Sequence, residues 1–160
     1  MANERQVYSF KSSGKLSSDI ALNSASNTLP PIGFKTPIEI SDDQNAPFKM
    51  HTDISLQIRD NFRNMLQTNH GDRLSLIDFG ANLEELTFEF GNENFDAIAL
   101  QRISATTNKY MPFIDLQTFE PVSIKNNEGI VGKSGFRVTY SVPNLGLTNQ
   151  VVEIVLYIAG

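Results

Sequence analysis

Acidic side chains are the residues of this sequence whose type and spacing come nearest to a catalytic arrangement. Glu84 and Glu85 are adjacent, and Asp78 lies upstream of them. A glycoside hydrolase needs two carboxylates roughly 5–9.5 Å apart across the scissile bond. Adjacent residues of a helix point about 100° apart, so closeness along the chain does not supply that geometry. We expect solvated acids beside a short helix, with peptidoglycan hydrolysis by Glu84 or Glu85 with Asp78 as the alternative.

The histidines and glycines of the chain predict no other active site. His51 and His70 flank a predicted helix about 25–30 Å apart along its axis, so they cannot share a metal ion. The stretch GIVGKSG, residues 129–135, lacks the four-residue spacing that a phosphate-binding P-loop needs between its first two glycines. The absence of cysteine excludes thiolate catalysis and Cys-ligated zinc. The sequence therefore predicts no enzyme, no metal site and no cofactor.

Length and charge limit the organisation of the chain and its partners. The 160 residues include 13 Lys+Arg and 18 Asp+Glu, for a net charge of −5, and this acidic balance argues against a nucleic-acid partner. The longest apolar run, residues 154–159, is too short to cross a bilayer, so no membrane partner is expected. Residues 1–28 are rich in Ser and Asn without periodicity, which predicts an extended or disordered arm. Pro30 and Pro31 then mark the boundary at which a single predicted domain, residues 30–160, begins.

Helical spacing of apolar residues is clearest between residues 52 and 67. Thr52 is the predicted N-cap, and Gly71 is expected to end this helix in the left-handed conformation. Asp60 is expected on the outward side. A second helix is predicted from residue 92 or 94 to about residue 108, and a short one around Leu83 and Leu86. The first helix carries one apolar stripe: Ile54, Ile58, Phe62, Met65 and Leu66.

Beyond Pro112 the apolar period changes from that of a helix to that of strands. Strands are predicted at residues 113–116, 121–125, 136–141 and 150–158. The last of these is mostly apolar on both faces, so either both faces are covered inside the domain or another chain covers one. The prediction is an α+β fold, in which two main helices and a short one pack on a small antiparallel sheet, with an extended N-terminal arm.

The central part of the chain carries several apolar, Gly and charged residues at fixed spacing. Residues 65–89 read MLQTNHGDRLSLIDFGANLEELTFE. They contain L-x-T-x-x-G-[ED]-R followed by F-G-x-x-L-x-x-L-x-F-[ED]. This run resembles the small baseplate wedge proteins, or sheath initiators, of contractile-tailed phages, a family also labelled lysozyme-like and related to a type VI secretion baseplate component. The likeness covers roughly residues 30–158 and leaves the Ser-rich arm outside.

The resemblance implies a structural subunit, located in the virion tail baseplate and assembled in the host cytoplasm. Its implied partners are other baseplate wedge proteins and the tail sheath protein, with the tail tube as a further candidate. The family's Glu-Pro-Arg triplet, which docks on neighbouring wedge proteins, is replaced here by an apolar stretch that keeps only the proline. We also expect Arg73 to pair with Asp78 or with a carboxylate of a neighbouring subunit. The predicted wedge-contact residues are Gly71, Asp72, Arg73, Met111, Pro112 and Phe113.

The resemblance also implies that the protein templates the first sheath ring, in which subunits are linked by strand exchange. The apolar last strand suits such strand addition, because affinity would come from main-chain hydrogen bonds and specificity from alternate side chains. A small adaptor domain outside phages is a further alternative. The predicted sheath-contact residues are Val151, Val152, Glu153, Ile154, Val155, Leu156, Tyr157 and Ile158.

Overall fold

The computed structural model describes residues 29–42, 47–89, 94–124 and 131–159, so the predicted arm lies outside the described residues. From Ile32 onward the chain forms one compact unit. The α+β class, with two main helices, a short one and a small antiparallel sheet, is confirmed. The elements in chain order are β1 (Gly33–Phe34), β2 (Met50–His51), α1 (Ile54–Gln67), a 3₁₀ helix (Glu84–Glu89), α2 (Phe95–Tyr110), β3 (Asp115–Ile124), β4 (Val131–Val142) and β5 (Leu147–Ala159).

Helix α1 begins one residue later than predicted, because Asp53 rather than Thr52 is its N-cap. The Asp53 carboxylate accepts a hydrogen bond from the backbone N–H of Ser55 at 2.8 Å, which satisfies a donor that the first turn leaves free. Ile54 is 45% exposed and lies outside the buried stripe that the sequence predicted. The remaining stripe residues are buried: Ile58, Phe62, Met65 and Leu66.

Helix α2 runs to Tyr110, two residues beyond its predicted end near residue 108. The backbone N–H of Met111 still bonds to the carbonyl of Thr107 at 2.8 Å, and Pro112 follows at once. Proline cannot donate to a helix and disfavours helical geometry in the residue before it, which accounts for the end of α2. Its buried face consists of Phe95, Ala99, Ile103, Thr106 and Thr107.

Strands β3, β4 and β5 form an antiparallel sheet in that order, with β4 in the centre. Both helices pack on the same face of this sheet. Phe62 of α1 meets Tyr140 of β4 with ring centroids 4.9 Å apart, and Phe95 of α2 stacks on Phe136 of β4 at 5.7 Å. Side chains alternate across a strand, so this face is made by every second residue. The buried apolar residues that β4 and β5 contribute to the core are Phe136, Val138, Tyr140, Val142, Val152, Ile154 and Leu156.

The two strands predicted at residues 113–116 and 121–125 are one strand, β3, which starts at Asp115. A bulge between Leu116 and Thr118 shifts the register against β4, so the strand continues across a break in alternation. Phe119 then pairs with Val138 and stacks on Phe136 at 4.9 Å. The sequence prediction was wrong here because the bulge interrupts the period of two that identifies a strand.

A buried hydrogen bond between His51 and Asp60 attaches the small β1–β2 sheet to helix α1. Asp60, predicted on the outward side of the helix, is 2% exposed, because β2 covers it. Its carboxylate lies 2.8 Å from Nε2 of His51 and accepts a hydrogen bond from the backbone N–H of Thr36 at 3.0 Å. Burial by itself raises the pKa of Asp60, but the hydrogen bonds from His51 and Thr36 outweigh it and hold this pKa below its usual range.

We predict that Asp60→Asn lowers the free energy of unfolding at pH 7 by about 1–3 kcal/mol, because it removes a buried charge-assisted hydrogen bond. A carboxyl whose folded-state pKa is lowered contributes its stability above the unfolded value of about 4 and loses it as the pH falls through the folded value. The difference between the wild type and the variant should therefore shrink below pH 4 in denaturant titrations.

Asp42→Asn is the matched control for this experiment, since Asp42 is exposed. It should leave the free energy of unfolding unchanged within about 0.5 kcal/mol. An Asp60→Asn protein as stable as the wild type at pH 7 would show that this pair does not hold the β1–β2 sheet.

Candidate protein-binding surfaces

The turn after α1 is built around Gly71, the first of the predicted wedge-contact residues. Helix α1 ends at Gln67, so Gly71 does not cap it as predicted but forms the following turn, with a φ of +90°. Its N–H bonds to the carbonyl of Ile77 at 2.7 Å. The Asp72 carboxylate accepts a hydrogen bond from the backbone N–H of Asn69 at 2.8 Å. These bonds fix the shape of a loop that is exposed along most of its length.

Arg73 does not pair with Asp78, the first of its two predicted partners, and a carboxylate of a neighbouring subunit stays a prediction. Its guanidinium carbon lies 3.7 Å from the centre of the Phe79 ring, which is a cation–π contact. Phe79 in turn contacts the ring of Tyr110 at the end of α2, with centroids 4.9 Å apart. The exposed loop is thereby held against the second helix by one cation–π contact and one contact between two tilted rings.

Asp78 is bound by side chains of α2 instead. The Lys109 ammonium and the Tyr110 hydroxyl both donate hydrogen bonds to its carboxylate, the latter at 2.7 Å. The bond from Lys109 and then that from Tyr110 lower the pKa of Asp78 to about 2, and the same contact with Asp78 raises the pKa of Lys109. We call the five residues that join the loop to α2 the loop–helix cluster: Arg73, Asp78, Phe79, Lys109 and Tyr110.

The loop–helix cluster brings the two predicted wedge-contact stretches together, because Tyr110 directly precedes Met111. Pro112 is exposed and Phe113 is 41% exposed, whereas Met111 packs partly against the core. Sequence reasoning missed two further side chains on the loop, Leu74 at 98% and Ile77 at 70% exposure. The available signal was the group of three apolar residues among positions 74–77, Leu74, Leu76 and Ile77, outside any predicted helix or strand.

The carboxylates considered for hydrolysis are each bound to other groups. Asp78 is ionised through its contact with Lys109, whereas a general acid needs a raised pKa. Glu85 pairs with Arg102 at 2.8 Å and accepts a hydrogen bond from Asn82. Glu84 accepts a hydrogen bond from Asn69. All three carboxylates lie on the exposed surface of the described chain and not in an enclosed cleft.

A groove of about 570 Å³ lies between α2 and β3. It carries no Asp, Glu, His, Lys or Arg, so its lining offers no group for acid–base chemistry. Among the described residues, no three Asp, Glu or His side chains could together hold a metal ion. Neither described helix is long and apolar enough to span a membrane. The groove is lined by Ala97, Leu100, Gln101, Ile103, Ser104, Ala105, Asn108, Leu116, Gln117, Thr118, Phe119 and Val138.

The predicted sheath-contact residues lie on β5, which is an edge strand of the described sheet. Val152, Ile154 and Leu156 are buried under the helices, whereas Val151 is 44% exposed on the opposite face. Of the two alternatives left open for this strand, the described residues therefore cover one face and leave the other to solvent. The side chains of Tyr157 and Ile158 lie outside the described residues.

A row of charges crosses this open face. Arg137 of β4 donates to Glu153 of β5 at 2.7 Å, and its guanidinium lies 3.8 Å from Glu120 of β3. The hydrogen bond that Arg137 donates to Glu153 raises the pKa of Arg137. Opposite charges paired across neighbouring strands stabilise a sheet, although exposure to solvent weakens such pairs. The row ends with a carboxylate at the free edge of β5.

We predict that Lys109→Gln returns the pKa of Asp78 from about 2 toward the ordinary value of about 4, because the variant removes the largest contribution to the shift. Carboxyl carbon chemical shifts followed by NMR against pH measure this value. Asp60 serves as the internal control, since its contacts lie on α1 and β2, and its titration should not move. An Asp78 titration unchanged in the variant would contradict the loop–helix cluster.

The chain matches no protein-family model and no curated protein. Among solved structures it is similar to a Geobacter sulfurreducens protein provisionally called a tail lysozyme, at 18% identity over 69% of this chain and 95% of that chain, with a TM-score of 0.53. It also aligns with a chain of the anti-feeding prophage (AFP) baseplate, at 12% identity over 79% and 82% of the two chains, with a TM-score of 0.47.

A third alignment is with a chain of the type VI secretion baseplate complex, at 15% identity over 67% of this chain and 95% of that chain, with a TM-score of 0.41. At these TM-scores, neither baseplate alignment supports a conclusion about the fold or the function of this chain. The Geobacter sulfurreducens protein has the same fold as this chain, and at 18% identity the likeness extends to the fold alone.

Proposed function

We propose that this protein is a non-enzymatic structural subunit of a contractile-tail baseplate. In this proposal it joins neighbouring wedge proteins through the exposed side chains of Leu74, Ile77 and Phe113, which we call the loop surface. It templates the first sheath ring through the edge of β5. The observation that carries the proposal is the edge itself. Strand β5 has 13 residues, its inward side chains belong to the core, and no strand of the described sheet pairs with its outer side. An edge of this length is a template for another chain.

The motif run and the fold support the same proposal. Residues 65–89 resemble the wedge proteins of contractile tails, and the fold is shared with a protein provisionally called a tail lysozyme. That name also raises the hydrolytic alternative. The ion pairs of Asp78 and Glu85 and the exposure of Glu84 argue against it, because none of these carboxyls is buried as an acid catalyst needs to be.

Wedge binding through the loop surface rests on exposed apolar side chains held by a rigid support. Leu74 and Ile77 project from a loop whose backbone is fixed by the Gly71–Ile77 hydrogen bond and by the loop–helix cluster. Phe113 adds an exposed ring just after α2. Holding apolar side chains on a preorganised support lowers the entropy that is lost when an interface forms. In this proposal an apolar contact replaces the family's Glu-Pro-Arg triplet.

We predict that Leu74→Asp reduces incorporation of the protein into baseplates by at least about tenfold, because it puts a charge into an apolar contact. Leu74 is 98% exposed, so the fold should be unaffected. Ile38→Asp is the matched control, since Ile38 is 69% exposed and lies in the segment between β1 and β2. Quantitative mass spectrometry of purified baseplates measures the incorporation. Equal incorporation of both variants would contradict a wedge contact at this loop.

Sheath templating is tested by blocking the edge of β5. Deleting residues 150–160 would remove Val152, Ile154 and Leu156 from the core and could unfold the protein. We therefore design a variant in which a turn and a further strand follow β5, so that the added strand pairs with its edge. Co-expressed with wedge, tube and sheath proteins, this variant should form baseplates without sheath, because its backbone donors and acceptors are already paired. A disordered polar extension of equal length is the control and should give sheathed tails in electron micrographs. Sheathed tails from the capped variant would overturn the proposal.

A further inference from the structure

The two edges of the sheet differ in their fitness to accept a strand. Strand β3 carries the bulge between Leu116 and Thr118 and also contains Pro121, which has no N–H to donate. Bulges and prolines are devices that protect an edge from pairing. Strand β5 has no proline, and it pairs with β4 from Ala159 to Gln150 without a register shift. A regular ladder of donors and acceptors is therefore available on β5 and not on β3.

A groove of about 290 Å³ opens beside β5 on the helix-covered side of the sheet. The end of α1 forms one wall with Leu66 and Gln67, and the 3₁₀ helix forms the other. Leu66 and Leu156 are buried, so the apolar floor is fixed by the core. The groove has room for one large apolar side chain. Its remaining lining residues are Leu83, Glu84, Thr87 and Val155.

The open face of β5 presents a charge at the same edge. Glu153 is the only charged residue of β5, and it ends the row that Arg137 and Glu120 begin. On a strand added beside β5, the position opposite Glu153 would continue the row if it carried Lys or Arg. Side chains alternate along a strand, so the position opposite Leu156, three residues along, would face the helix side and the groove.

The sheet edges of a second copy of this chain offer no basic residue to Glu153. Strand β5 contains no Lys or Arg, and neither does β3, whose charged residues are Asp115 and Glu120. Pairing two β5 edges would therefore add only carboxylates to the outer face, and opposite charges are what stabilise a cross-strand pair. The charges therefore favour an extended segment of a different protein.

We propose that the β5 edge recognises an extended segment of a partner protein that carries a basic residue and a large apolar residue three positions apart. The basic side chain lies opposite Glu153 on the open face, and the apolar side chain fills the groove next to Leu66 and Leu156. This inference rests on the proposed strand addition and names the sequence that it selects. The backbone of β5 supplies affinity, and these two positions supply specificity.

The test uses short synthetic peptides of alternating Val and Thr that carry Lys and Leu at this spacing, made in both orders along the chain. Binding to the full-length protein is measured by fluorescence anisotropy. The matched peptide should bind, replacing its Leu by Ser should weaken binding about tenfold, and replacing its Lys by Glu should weaken it about threefold to fivefold. Equal binding of all peptides would overturn the selectivity.

Protein variants locate the two contacts. Glu153→Lys should prefer the peptide with Glu in place of Lys, and Glu153→Gln, which keeps the size of the side chain, should bind both equally. Thr87→Tyr should fill the groove and remove the preference for Leu over Ser, because Thr87 lies at its rim. A charge preference that Glu153 variants leave unchanged would overturn the inference.

The outcomes separate this inference from the proposed function. Failure of the matched peptide to bind, together with normal sheath assembly on the wild-type baseplate, would overturn the inference and leave strand addition standing. Sheath assembly on the capped-edge variant would overturn both. Binding of the matched peptide with the expected losses in the Ser and Glu peptides supports both.

Discussion

The interaction on which the rest of the structure depends is the packing of both helices on one face of a three-stranded sheet. The rings of Phe62 and Phe95 meet Tyr140 and Phe136 of the central strand, so α1 and α2 are fixed through β4. Strand β5 is bound to the same core through Val152, Ile154 and Leu156, yet it is an edge of the described sheet. A strand whose inward side chains are buried has a set register, and an edge with a set register can align a second chain.

The loop surface is also held in place by contacts with the core elements, here by aromatic rings and an ion pair. On an unattached loop its exposed apolar residues would have no fixed position, but Phe79 contacts Tyr110 of α2, and Asp78 is bound by Lys109. Individual exposed ion pairs contribute little to stability. Their effect here is geometric, since they hold Leu74 and Ile77 in one place, and in the proposed wedge contact this would lower the entropy lost on binding.

The sequence predicted what depends on local periodicity and missed what depends on distant contacts. Most of the stripe of α1, the existence of α2 and the alternation of β5 follow from spacing, although Ile54 is exposed and α2 ends two residues beyond its predicted end. Asp60 looked solvated on the helix, because nothing in its neighbourhood in the sequence shows that β2 covers it with His51. The charge of Arg73 led to the prediction of a carboxylate partner, whereas in the folded chain its guanidinium lies over the Phe79 ring. The groove beside β5 needs three elements that are far apart in the chain.

The most direct test of the central claim is amide hydrogen exchange of the full-length protein, free and within baseplates that carry sheath. Addition of a strand to β5 predicts slower exchange along residues 150–156 in the sheathed assembly, with β3 unchanged, because only the β5 edge gains hydrogen bonds. Equal exchange of β5 in the free and assembled protein would contradict the claim, and so would protection confined to β3.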